Sequence, residues 1–133
     1  MADKVRYLSP AWRDEVEKRF KQELTPEKMK NLTTSVAFIY TNCPDGKTRC
    51  LYFRSVDGII TEVASDEDLS REAEFVITAD YDLFARVTQG TLSSQRALMS
   101  GKLKLKGNMV KALKLASLSD RMNKIMFRIP TEY

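Results

Sequence analysis

The sequence predicts an α+β fold built on a five-stranded, mainly antiparallel sheet, and three observations predict it. Apolar residues recur every fourth position from Trp12 to Leu24, alternate every second position in segments between Thr34 and Ala79, and return to helical spacing after Asp80. At 133 residues the chain has the length of one domain with one core. Residues 1–32 read as an N-terminal helical segment and residues 33–133 as the core.

Ser9-Pro10 opens the first helix, because the serine hydroxyl accepts from an early amide and proline at the first helical position sacrifices no hydrogen bond. Trp12, Val16, Phe20 and Leu24 form one apolar stripe that packs on the core. Thr25-Pro26 repeats the start signal and predicts a short second helix carrying Met29 and Leu32. From Thr34 the period is two, so Val36, Phe38 and Tyr40 share one face of a strand, and Ala37 and Ile39 the other. Thr48 to Val56 and Ile59 to Ala64 read as two further strands joined by Asp57-Gly58. That dipeptide suits the positive φ angles of a type I′ turn and pairs Val56 with Ile59, Arg54 with Thr61 and Tyr52 with Val63. The acidic loop Asp66-Glu67-Asp68 leads to a fourth strand, Glu74 to Ala79. Asp80 is placed as the cap of the next helix, with Asp82 in its first turn and Gly90 closing it. Ser93 to Ser100 reads as a short helix ended by Gly101. Lys102-Leu103-Lys104-Leu105-Lys106 alternates strictly, as in a fifth strand whose lysines protect an exposed face or edge. Asn108 caps the last helical region, which is expected to break near Ser117 to Asp120, where the hydroxyls and Asp120 suit a separate cap.

Composition excludes several classes. With 43% hydrophobic and 30% charged residues the chain is a folded protein and not a disordered one. Its longest apolar stretches, near Val36 to Tyr40 and Phe75 to Ala79, fall far short of the roughly 20 residues that span a bilayer. The start, Met1-Ala2-Asp3-Lys4, has no secretory pattern, and the end, Pro130 to Tyr133, has no receptor-read address, so a cytoplasmic protein is expected. Cys43 and Cys50 flank a loop that could set them opposite one another, but a reducing compartment predicts two free thiols. Two cysteines and no histidine cannot close a tetrahedral metal shell, and the usual general base near neutral pH is missing. Asp80, Asp82, Ser93 and Ser94 are accounted for by helix starts, and the glycines form no phosphate cradle. No catalytic residue, metal or cofactor is therefore assigned. The net charge of +4 is a modest basic excess. Aromatic residues are not interleaved with the lysines, so no nucleic-acid partner is expected.

The run from Gly101 to Leu115 is the most specific feature of the chain. Gly101, Lys102, Leu103, Lys104 and Leu105 precede Gly107-Asn108-Met109 and then Ala112, Lys114 and Leu115, all after Asp80-Tyr81-Asp82-Leu83-Phe84 and Gly90. This order resembles the type-two sterol carrier protein domain: an aspartate-led helix, a glycine, a short helix, a Gly-Lys-Leu-Lys strand, Gly-Asn-Met, and a helix carrying Ala-x-Lys-Leu. The likeness is strongest from Thr78 to Leu118 and extends back to about Thr33. It implies a five-stranded sheet with helices on one face, enclosing an apolar tunnel for fatty acids, fatty acyl-CoA, sterols or phospholipids, and no reaction chemistry.

Phe84, Val87, Leu98, Met99, Leu103, Leu105, Met109, Leu113, Met122, Ile125 and Met126 are the candidate lipid-binding residues. They supply flexible and aromatic apolar groups of the kind that line lipid pockets. Periodicity alone favours a dry, close-packed core for the same residues; the resemblance favours a cavity for the set. The expected partner is a lipid or other aliphatic small molecule, held non-catalytically. Lys111, Lys114, Arg121, Lys124 and Arg128 recur at helical spacing, as a solvated face or one that touches an anionic membrane surface transiently. The alternative function is an accessory or dimerising module of an enzyme complex, a use that the resemblance also implies.

Overall fold

The computed structural model describes residues 4–133, apart from the side chains of residues 116 and 117, so the charged start at residues 1–3 and any cap from Ser117 lie outside the described residues. A two-residue strand, β1 (Val5–Arg6), precedes helix α1 (Pro10–Glu23). The Trp12 amide donates to Ser9 Oγ at 3.2 Å, with Pro10 at the first helical position. Four-residue spacing puts Trp12, Val16 and Phe20 on one stripe, and all three are fully buried. Arg13–Glu17 and Arg19–Glu15 ion pairs, each at 2.8 Å, occupy the outer faces.

The main sheet contains β2 (Thr34–Thr41), β3 (Arg49–Val56), β4 (Ile59–Asp66), β5 (Phe75–Asp80) and β6 (Lys104–Lys106), in the order β4-β3-β2-β5-β6. β2 pairs antiparallel with β3 and parallel with β5, and the outer pairings are antiparallel. The sheet is thus mixed, and β2 is central. Asp57 and Gly58 take φ of 50° and 80°, and Val56 faces Ile59 as the turn demands. Beyond it the expected register fails: Arg54 faces Glu62 and Tyr52 faces Ala64, because a bulge inserts Thr61. The inward residues explain the bulge. Ile60 and Val63 are both buried yet three apart, and a period of two can turn both toward the core only with one extra residue between them.

The expected second helix does not form. The Met29 amide reaches the Thr25 carbonyl at 2.9 Å, but Lys30 and Asn31 then take φ of 52° and 53°, which ends the helix after one turn. The turn sits against the β3–β4 hairpin: the Gly58 amide and Ser55 Oγ both donate to the Leu32 carbonyl at 2.9 Å. A Cβ on Gly58 would lie 2.9 Å from Pro26 Cα, so this approach requires glycine.

Four helices follow: α2 (Tyr81–Thr88), α3 (Ser94–Met99), α4 (Met109–Lys114) and α5 (Ala116–Phe127). Asp80 stands at the start of α2 but does not cap it, because its carboxylate accepts from Thr41 Oγ1 at 2.6 Å at the end of β2 and from Asn42 Nδ2 at 2.8 Å just beyond it. Ser93 and Asn108 do cap α3 and α4, accepting from Arg96 N and Lys111 N. β6 is shorter than the lysine–leucine alternation suggests, since the Leu103 amide instead closes α3 on the Ala97 carbonyl at 3.1 Å. The break in the last helical region falls at Leu115 rather than at Ser117 to Asp120. Asp120 accepts from Ser94 Oγ at 2.9 Å and pins α5 to α3. Finally β7 (Thr131–Glu132) pairs with β1 in parallel, tying the two ends together.

All this helical mass covers one face of the sheet. Trp12, Phe20, Phe84, Leu98, Ile125 and Met126 join Leu51, Phe53 and Ile77 in one core, which includes Cys43. Cys50 lies in a small second cluster with Ala37 and Tyr52. Arg71 covers that cluster, its guanidinium 5.5 Å from the Tyr52 ring centre and bonded to Asp66 at 2.6 and 2.7 Å. Both cysteines are free thiols.

Candidate functional site

Alternation along the strands builds the floor of a cavity. Cross-strand rows Leu51–Phe38–Ile77 and Phe53–Val36–Phe75 lie on the helix-covered face. Phe38 stands 5.8 Å, ring centre to ring centre, from both Phe53 and Phe84. Between this floor and the helices lie two adjoining apolar spaces of about 90 and 50 Å³. The larger reaches Met29, Leu32, Ala112, Leu115 and Leu118 at the turn and the α4–α5 corner. The smaller reaches Tyr40, Leu51, Phe84, Val87, Leu103 and Met126 at the α2 side. Phe38, Phe53, Ile77, Ser94, Leu98, Ser119 and Met122 border both, so the two spaces are lobes separated by a few side chains.

Of the candidate residues, Phe84, Val87, Leu98, Leu103, Met122 and Met126 border this cavity. Leu105 and Leu113 are partly buried against the core without bordering it. Ile125 is buried in the core without bordering the cavity and lines a surface groove with Glu23 and Phe127. Met99 is 69% exposed and Met109 41% exposed, both away from the cavity. Met99 follows the buried Leu98, and one step along a helix rotates a side chain about 100° to solvent. The floor residues Val36, Phe38, Phe53, Ile60, Phe75 and Ile77 were absent from the candidate set. Their signal was the two-residue alternation of Val36, Phe38 and Tyr40, which marked a common face but not which face the helices cover.

Titratable chemistry is scarce inside. Tyr7 Oη lies 2.6 Å from Tyr40 Oη and 2.9 Å from Thr88 Oγ1, a buried hydroxyl cluster beside the smaller lobe. Burial pushes both phenols well above their ordinary range, so they stay neutral. Burial likewise raises both thiols, which disfavours the nucleophilic thiolate. Among the described residues no group of three or more His, Cys, Asp or Glu side chains is arranged to hold a metal, and no helix is long and apolar enough to cross a membrane. The two lobes are lined mainly by apolar side chains.

Comparison with known proteins agrees. The model of the SCP-2 sterol transfer family matches residues 14–120. The non-specific lipid-transfer protein-like 1 of Caenorhabditis elegans is 32% identical over 94 residues, covering 71% of this chain and 76% of that protein. The hydroxysteroid dehydrogenase-like protein 2 of Bos taurus is 44% identical over 54 residues, which are 41% of this chain but only 13% of that longer relative. A crystal structure of sterol carrier protein 2 shares the fold, with a TM-score of 0.79 at 22% identity over 93% of this chain and 99% of that one. Since the family match takes in both the sheet that floors the cavity and most of the helices that roof it, the chain belongs to the SCP-2 sterol transfer family, whose domains bind or transfer lipids.

Proposed function

We propose that the chain works as a single non-catalytic unit that holds the hydrocarbon part of a lipid in the two-lobed cavity and releases it reversibly. The observation that carries this reading is the cavity itself, an apolar space between the sheet and α2–α5 in a core that would otherwise close-pack. Burying roughly fourteen methylenes at about 0.8 kcal/mol each gives a gross driving force of about 11 kcal/mol. Loss of translational and rotational freedom offsets much of it, at a cost of about 4–15 kcal/mol. The net is reversible binding set by hydrocarbon length. Lobes of about 90 and 50 Å³ are smaller than the roughly 300 Å³ at the low end of ligand pockets. A long chain therefore requires the roof to yield, and Met29, Met122 and Met126 are side chains that adapt readily.

Native mass spectrometry of protein purified from cells should show a co-purifying lipid, and delipidated protein should take up a fluorescent fatty acid from solution saturably. A bare chain that takes up no probe contradicts the reading. A second reading, an accessory or dimerising module of an enzyme, draws on the hydroxysteroid dehydrogenase-like relative, where the matched segment is a small part of a longer protein. A lipid-free oligomer in the same spectrum would favour it.

A further inference from the structure

We infer that the surface cleft between the turn at residues 26–31 and the α4–α5 corner is the headgroup site for an anionic amphiphile whose tail occupies the cavity; this rests on the hydrocarbon-binding reading above. Two independent observations meet there. The cleft is bordered by Met29, Leu32, Leu115 and Leu118, and those same four side chains border the larger lobe from within. One apolar wall therefore separates the interior from the cleft. The remaining residues of the cleft are Lys28, Lys30, Lys114 and Arg121, with no acidic side chain among them.

What marks the cleft is that four cations and no carboxylate share one concave site beside the larger lobe. Some cations elsewhere, among them Arg13, Arg49 and Arg71, sit within ion-pair distance of a carboxylate, and others such as Lys102, Lys104 and Lys106 have no such partner among the described residues. Among the described residues none of the four cleft cations is in such a pair. Unneutralised like charges crowded into a concave site focus a positive potential that an anion relieves. The backbone also fixes where these charges stand. Lys28 and Lys30 ride on the turn locked to the β3–β4 hairpin through the Leu32 carbonyl, while Lys114 and Arg121 flank the helix break at Leu115. A single-chain amphiphile with its tail in the larger lobe would emerge between them with its carboxylate or phosphate. A neutral sterol would gain nothing from the four exposed cations, whereas an anionic head would. The ligand class is thus an acid-headed aliphatic chain.

The test uses the delipidated full chain at pH 8, with dodecanoate and 1-dodecanol as probes that share a tail and differ in the head. Calorimetric titration at low salt should show dodecanoate binding about tenfold more tightly, as a charge-assisted contact allows, with the advantage shrinking as salt is raised. In the triple variant K30Q/K114Q/R121Q, dodecanoate affinity should drop to that of dodecanol while dodecanol affinity and the melting temperature stay unchanged. Equal affinity of the two probes for the unmodified chain, or equal weakening of both in the variant, overturns the headgroup site. If neither probe binds, the hydrocarbon reading itself fails, and the headgroup site with it. Co-sedimentation with phosphatidylglycerol vesicles separates the other source of anions. If the variant loses vesicle binding while keeping full dodecanoate affinity in vesicle-free solution, the cations serve a membrane surface and the headgroup site is refuted.

Discussion

Replacing Ala112 with leucine fills the larger lobe from its own wall. Ala112 borders that lobe and is 9% exposed, so the three added carbons have only the cavity to occupy. Alanine and leucine are both good helix formers, which keeps the local helix preference of α4 nearly constant. An empty space of about 90 Å³ costs about 2 kcal/mol at roughly 24 cal/mol per Å³. Filling most of it, less an overpacking cost of about 1 kcal/mol, should stabilise the lipid-free protein by about 1 kcal/mol, or a few degrees in Tm. The same carbons exclude about three methylenes of a bound tail, worth about 2.4 kcal/mol, so lipid affinity should fall about fifty-fold. Thermal melting of delipidated protein and titration with a fluorescent fatty acid read the two effects separately. Opposite signs are the signature of a ligand cavity. A stabilised variant that binds lipid as tightly as the unmodified chain would mean that hydrocarbon lodges elsewhere. A variant destabilised by well over 1 kcal/mol would mean that the interior has no space to fill.

Other consequences can be checked independently. Tyr7→Phe removes the hydroxyl shared by Tyr40 and Thr88, leaves those buried groups short of a partner, and should lower stability by about 1–3 kcal/mol in urea titration. Arg71→Met removes the paired guanidinium that holds the Asp66 carboxyl below its usual range. A depressed carboxyl contributes stability above its unfolded pKa and loses it as pH falls through its folded value. The difference between variant and unmodified protein, at most about 1 kcal/mol for so exposed a pair, should therefore persist at neutral pH and disappear in acid below about pH 4. Cys43 and Cys50, both buried with raised pKa values, should react with a thiol reagent only after denaturant is added, and no disulfide should appear on oxidation of the folded protein, as they belong to separate clusters. Trp12 is the single tryptophan and fully buried, so its emission should be blue-shifted when folded and move to the red on unfolding.

Local signals carried well from sequence to structure. Ser9-Pro10, Ser93 and Asn108 start helices because each capping hydroxyl or amide acts within three residues, and Asp57-Gly58 makes its turn because its φ angles are intrinsic to the dipeptide. Features set by distant partners did not carry. The Thr61 bulge exists because Ile60 and Val63 must both meet the core, and Asp80 leaves its capping role because parallel pairing sets Thr41 beside it. β1 and β7 are two residues each, too short for any period to mark them. The helix that Thr25-Pro26 announces stops where Lys30 and Asn31 turn left-handed to reach the hairpin. At the site, helical spacing picked out Leu98 and Met122 but also Met99, which sits one step around the helix, and nothing local distinguished them. The sheet residues of the floor needed the knowledge that β2 is central, which follows only from its pairing with both β3 and β5.

The central claim is that hydrocarbon lies inside the molecule, between the sheet and the α4–α5 roof. A fatty acid carrying a photoreactive diazirine at its tail end reads this position directly when the irradiated complex is mapped by peptide mass spectrometry. Labels on side chains that border both lobes, such as Phe38, Leu98, Ser119 or Met122, are the predicted result. Labels confined to exposed apolar residues such as Met99, Val110 and Phe127 would contradict it.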